Sequence, residues 1–310
     1  MKDKLEKYLM KEYSLKKRDL IIGYLKDKHK YKIDYFEYLY LYFPLLTLDK
    51  KEEVLTSKLN LKITNELNPF DLRYKIANKG EFNYLFDKYI KRDWLVLNED
   101  NKEEFRLFIK SRDKIFLPNL NYTKDEILDI EHLNDWNLHQ ELINTHHYIV
   151  EEVVTHHHIF NKITDKSLIT INFITLLIDC KVHILGSYLN IKINEENYYI
   201  LVDTNTGKTY SYGINNYIKV AKINDYEIKS FKIPLFKETL KMVYELPKVV
   251  PKLKYLSFEI AITDTDCLLI NANDEVNYQV LQFFDYLKDS DGLYKTIKNI
   301  RGEIEWKKWF

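Results

Sequence analysis

The chain has 310 residues, enough to bury a large core and to divide into two or three lobes. Lysine plus arginine and aspartate plus glutamate each number 47, so the formal charge is zero and no global basic field exists to hold nucleic acid. The apolar run 169–178 is interrupted by Asn172 and too short to span a bilayer, and Met-Lys-Asp-Lys opens no signal peptide; a cytoplasmic protein without a transmembrane segment is expected. Cys180 and Cys267 lie in apolar, strand-like surroundings without CxxC or Cys/His ligand spacing, and read as reduced core thiols. Seven glycines in the whole chain leave no loop suited to cradling phosphate.

Residues 1–92 carry apolar positions at helical spacing, as in YFEYLYLYFPLL and EFNYLFDKYI, and form an expected helical region. Asn78-Lys79-Gly80-Glu81 reads as a helix start. From Trp94 the pattern alternates: a strand in WLVLN, a helix over 102–110, a strand over 114–117, and an acidic helical stretch from Thr123 to His132. Residues 147–154 predict a strand, followed by β segments at 167–178, 182–193, 198–203 and 208–212, and helices at 236–246 and 277–287. Leu256 to Asn273 reads as two strands joined at Asp264-Thr265-Asp266, which sets Glu259 on one strand and Asn271 and Asn273 on the next. The fold class is α+β: a helical N-terminal region (1–92), a small α/β lobe (93–150) and a larger antiparallel-sheet lobe (151–310).

Several segments in this order resemble the sugar-transfer-associated branch of the ATP-grasp superfamily, relatives of the α-L-glutamate ligases linked to cell-surface polysaccharide pathways. The resemblance runs from about Tyr35 to Leu287 and rests on Tyr35-Phe36-Glu37-Tyr38, on Lys79 and Phe82 at a helix start, on Tyr148-Ile149-Val150-Glu151-Glu152, on Phe258-Glu259-Ile260-Ala261-Ile262-Thr263, and on Asn271-Ala272-Asn273. It implies ATP and Mg2+ as cofactors, with Lys79, Val150, Glu151 and Glu152 on the nucleotide and Glu259, Asn271 and Asn273 at the metal. A glycosyltransferase or an active ligase is the partner it implies.

The same comparison exposes losses. The family lysine falls on Leu117, the phosphate-side arginines on Asn172 and Asn190, and an acid on Asn271; the loop Asn119 to Thr123 has no glycine. Phosphoryl transfer to a carboxylate depends on cations and metal to neutralise developing charge, so these changes predict weakened or lost ATP and magnesium chemistry. Three readings follow: a pseudoenzyme kept as a binding or scaffold partner, a remodelled ligase acting on a sugar or peptide acceptor, and a nucleotide or sugar-nucleotide sensor. Each position also has a structural reading: Glu259 as a buried acid paired with lysine, Asn271 and Asn273 as a polar strand end, Lys79 as a solvated helix charge, and Glu151 and Glu152 as exposed side chains beside backbone that meets the base. His146-His147 and His156-His157-His158 flank the Glu151 segment, but without a Cys or acid at standard spacing they do not spell a zinc site.

Overall fold

A computed structural model describes residues 1–118, 125–131 and 135–302. Its strands are β1 (Trp94–Val96), β2 (Lys114–Leu117), β3 (Glu126–Asp129), β4 (Ile149–Glu152), β5 (Thr170–Ile178), β6 (Lys181–Ile193), β7 (Glu196–Val202), β8 (Gly213–Asn215), β9 (Ile218–Val220), the short pair β10 (Lys222–Ile223) and β11 (Tyr226–Glu227), β12 (Tyr255–Ile262) and β13 (Cys267–Asn273). Two antiparallel sheets dominate, a four-stranded one in the order β1-β4-β2-β3 and a seven-stranded one in the order β13-β12-β5-β6-β7-β8-β9.

Period-two alternation gives the large sheet two unlike faces. Ile171, Phe173, Leu189, Ile191, Ile200, Phe258 and Ile260 point to one side, into a core closed by Phe82, Phe86 and Ile90 and by Met242, Val243 and Leu246. Ile174, Tyr188, Leu201 and Ile214 point to the other, where the N-terminal helices contribute Leu5, Leu9, Tyr38, Tyr42 and Phe43, and the last helix, Leu293–Arg301, adds Leu293 and Ile297. The small sheet has its own core of Leu97, Phe105, Ile115, Leu117, Leu142 and Val150. No helix among the described residues is long and apolar enough to cross a membrane.

Local chemistry accounts for the boundaries. Asn78 caps the helix Lys79–Leu85, its side-chain oxygen accepting from the Glu81 N–H at 3.0 Å, and Asp34 does the same for Tyr35–Tyr40 through Glu37 at 2.8 Å. The hairpins β5–β6, β6–β7 and β8–β9 close through two-residue turns, Asp179-Cys180, Asn194-Glu195 and Asn216-Tyr217, all at positive φ. That is the turn whose twist matches paired strands, here adopted without glycine.

Four expectations change. Residues 126–129 of the expected helix Thr123–His132 form β3, which pairs with the open edge of β2; other parts of that stretch, like the loop Asn119 to Thr123, lie outside the described residues. No strand forms over 208–212: the Asp203 carboxylate gathers the N–H groups of Asn205 and Thr206, Gly207 turns at positive φ, and only isolated bridges follow. The helix expected over 277–287 is broken at Phe283, whose extended backbone separates a 3-10 turn from a single helical turn. Cys180 is exposed, because it occupies the β5–β6 turn rather than a strand; only Cys267 is a buried thiol.

Candidate functional site

Cross-strand register builds a polar patch on the large sheet. Glu259 stands opposite Asn172 on β5 and Asn271 on β13, while Thr170 stands opposite Asn190 on β6. Directly paired side chains share a face with Cβ atoms about 5 Å apart, so these five polar groups form one cluster. Thr170 Oγ1 donates to Glu259 Oε1 at 2.6 Å, and the Asn190 amide also donates to this carboxyl. Glu259 lies deep in the molecule yet keeps part of its surface open, as at the floor of a cleft. Burial pushes its carboxyl above the usual range, against the lowering pull of Thr170, Lys79 and Asn190. Two atoms of the patch have no hydrogen-bond partner among the described residues, Asn172 Nδ2 and Asn190 Oδ1.

Lys79 reaches this region from the first turn of the helix Lys79–Leu85. Its ammonium donates to the Ile270 carbonyl at 2.9 Å, lies 3.4 Å from Glu151 Oε1, and acts through space on Glu259. Arg92 holds Glu151 Oε2 through Nε at 3.1 Å and Nη2 at 2.7 Å, and donates from Nη1 to the Leu269 carbonyl at 2.7 Å. Asn83 completes the knot with a 2.7 Å bond to Glu151 Oε1. Edge strand β13 thus has two carbonyls capped by buried cations, and Glu151, projecting from β4 of the small sheet, is the carboxylate that both cations share. Burial works against the charge on Glu151, but Lys79, Arg92 and Asn83 outweigh it and hold the carboxyl below the usual range. Burial likewise depresses the Lys79 ammonium, with Glu151 pulling back and Arg92 adding to the depression.

The remaining positions sort as follows. Val150 is fully buried in the small-lobe core. Glu151 is buried rather than exposed, and is spent on the ion knot. Glu152 is exposed, with its N–H donating to the Asp93 carbonyl at 2.9 Å and its carboxylate accepting from the Asp93 N–H at 3.1 Å. Past it, Val153, Val154 and Thr155 line a cavity of about 420 Å3 with Ile127 and Leu168. Asn273 is exposed at the end of β13, its carbonyl accepting weakly from Ser257 Oγ at 3.5 Å. Leu117 is buried in the small-lobe core. Lys79, Glu259 and Asn271 therefore meet at one edge of the sheet, while Val150 and Asn273 stand off. Thr170 and Arg92 belong to the site too, and neither was singled out from sequence. A single arginine opening a strand in a lysine-rich chain was the only available signal for Arg92. Of the histidines, His157 and His158 gather with Asp264, their ligand atoms within 4.8 Å of one another, but His157 Nδ1 accepts from the Ile159 N–H and His158 Nδ1 bonds Asp264 at 2.8 Å.

The model of the sugar-transfer associated ATP-grasp family matches residues 135–302, more than half of the chain. The chain belongs to that family. No curated protein sequence matches it. Among solved structures it is similar to an N5-carboxyaminoimidazole ribonucleotide synthetase in its ADP complex, at 12% identity over 72% of this chain and 51% of that one, TM-score 0.46. It is also similar to a D-alanine-D-alanine ligase from Helicobacter pylori, at 12% identity over 74% and 61%, TM-score 0.43. An L-amino acid ligase from Bacillus licheniformis aligns at 12% identity over 73% and 47%, TM-score 0.42. The chain spans about half to three fifths of the length of these proteins. The strands offer a magnesium-bridged triphosphate one carboxyl, flanked by neutral amides on both neighbouring strands, which is the low end of the one or two carboxylates that magnesium takes beside phosphate and water oxygens.

Proposed function

We propose that this member of the ATP-grasp family is a pseudoenzyme, a cytoplasmic ligase fold retained as a binding or scaffold partner for a glycosyltransferase or an active carboxylate-amine ligase of cell-surface polysaccharide synthesis. One observation carries this reading. Glu259 is the one acid on the strands of its patch, ringed by Asn172, Asn190, Asn271 and Thr170 and held toward its protonated form, with Asp125 acting on it through space, so these strands supply neither a pair of carboxylate ligands nor a phosphate clamp. Leu117 adds to it, since the side chain where the resemblance expects a lysine is packed among apolar neighbours. Lys79 is bound to Glu151 and to a main-chain carbonyl, so recruiting it to phosphate would break a buried pair.

Lys79 also favours the main alternative, a remodelled ligase acting on a sugar or peptide acceptor, because it keeps one ammonium within electrostatic reach of Glu259. Calorimetric titration with ATP, with and without magnesium, decides between them. The pseudoenzyme reading expects no magnesium-dependent heat and no ADP release above background, and Asn271→Asp should create a magnesium-dependent response absent from the parent. Magnesium-dependent ADP release on adding an acceptor would overturn the reading in favour of a ligase. ATP binding without turnover would instead mark a nucleotide sensor.

A further inference from the structure

On the same face of the large sheet as Glu259, but toward its far edge, lies a second cavity of about 350 Å3. The register Glu259–Asn172–Tyr188 and Asn190–Tyr199 carries the face across β12, β5, β6 and β7 to Tyr199 in its wall. At about 4.8 Å per strand, that places the wall roughly 15 Å from the acid. Its aromatic side is preorganised: Tyr40 and Tyr217 stack at 4.7 Å with an interplanar angle of 19°, Tyr217 is anchored through its carbonyl by Tyr42 Oη at 2.5 Å, and Tyr199 packs edge-on against Tyr188. Its polar side consists of the amides of Asn197, Asn216, Asn277 and Gln279 and the carboxylates of Glu195 and Glu196. No lysine or arginine among the described residues lines it, although Met1 stands at the rim.

We infer that this cavity is a binding site for a pyranose sugar lacking negative charge. The faces of the tyrosine rings are electron-rich and attract the weakly positive C–H groups of a sugar ring, whereas side-chain amides both donate to and accept from hydroxyls. Glu195 is paired with Lys192 at 3.2 Å, and Glu196, which has no lysine or arginine beside it in the wall, repels uronic acids and phosphorylated ligands and welcomes an amino substituent. The volume suits a monosaccharide, and the mixture of apolar walls with a few convergent polar groups is that of a small-molecule site. Neither Lys79 nor the hinge lines the site, and Glu259 reaches its wall only through space, by its charge on Tyr199.

Saturation-transfer NMR and titration calorimetry without nucleotide test it, using N-acetylglucosamine, glucosamine, glucuronate and adenosine as probes. Expected are transfer to the first two sugars and at least tenfold weaker binding of glucuronate. Tyr217→Leu should abolish transfer, and Gln279→Ala, which alters a half-buried rim residue, should weaken the two sugars several-fold with an unchanged melting curve. No transfer to any sugar, equal binding of glucuronate, tighter binding of adenosine than of the sugars, or unchanged affinity in folded Gln279→Ala would each overturn the assignment.

Discussion

Glu259 is the residue on which most turns, and its protonation has a measurable signature. Its carboxyl is raised in the folded state, so its contribution to stability is complete below the unfolded value near 4.5 and is lost as pH rises through the folded value. Glu259→Gln mimics the uncharged form; it should melt higher than the parent at pH 7, with the difference vanishing below about pH 4.5. Scans at pH 7 and pH 4 check this, and a lower melting temperature at pH 7 would mean the charge is stabilising. Glu259 could be picked out from sequence as an acid in an apolar strand, and Lys79 through the resemblance of its helix start to a family segment. Their partners could not. Thr170 lies 89 positions from Glu259 and Arg92 lies 59 from Glu151, and only register across separate strands or lobes brings them together.

At the scale of elements, Glu53 fastens the N-terminal helices to the start of the last helix. Glu53 accepts from Lys50 Nζ at 2.9 Å, Lys295 Nζ at 2.9 Å and the Gly292 N–H at 3.2 Å, and despite some burial its carboxyl is drawn down to about 2 by these donors. This contribution is therefore intact above pH 4.5 and fades as pH falls toward 2. Gly292 is required by closeness rather than by backbone angle, for a Cβ there would sit 2.3 Å from the Glu53 carbonyl oxygen. Gly292→Ala should cost about 1–3 kcal/mol in denaturant unfolding, as overpacking does. The long hairpins β5–β6 and β12–β13 were legible because both alternation and turn residues announced them. Short elements were not: β3 and the break at Phe283 depend on which open edge or aromatic pocket lies nearby, and no local pattern encodes that.

Across the whole molecule, the small lobe is joined to the large sheet through Lys79, Glu151 and Arg92, two cations that share one carboxylate. Glu151→Ala would leave two cations buried without their counter-ion, and should cost about 3–5 kcal/mol and separate the melting of the lobes, giving a broadened or two-step transition by calorimetry. A single sharp transition at the parent's temperature would show that the lobes are coupled elsewhere. Composition and periodicity suggest a three-part division; they give no sign of this knot, whose members come from three separate segments. The tight turn ending β5 has a practical corollary. Its Cys180 is open to solvent while burial pushes the Cys267 thiol up and hides it, so a thiol-directed dye or spin label would attach at one place, on the tip of a rigid hairpin, and could report distances without any engineered cysteine.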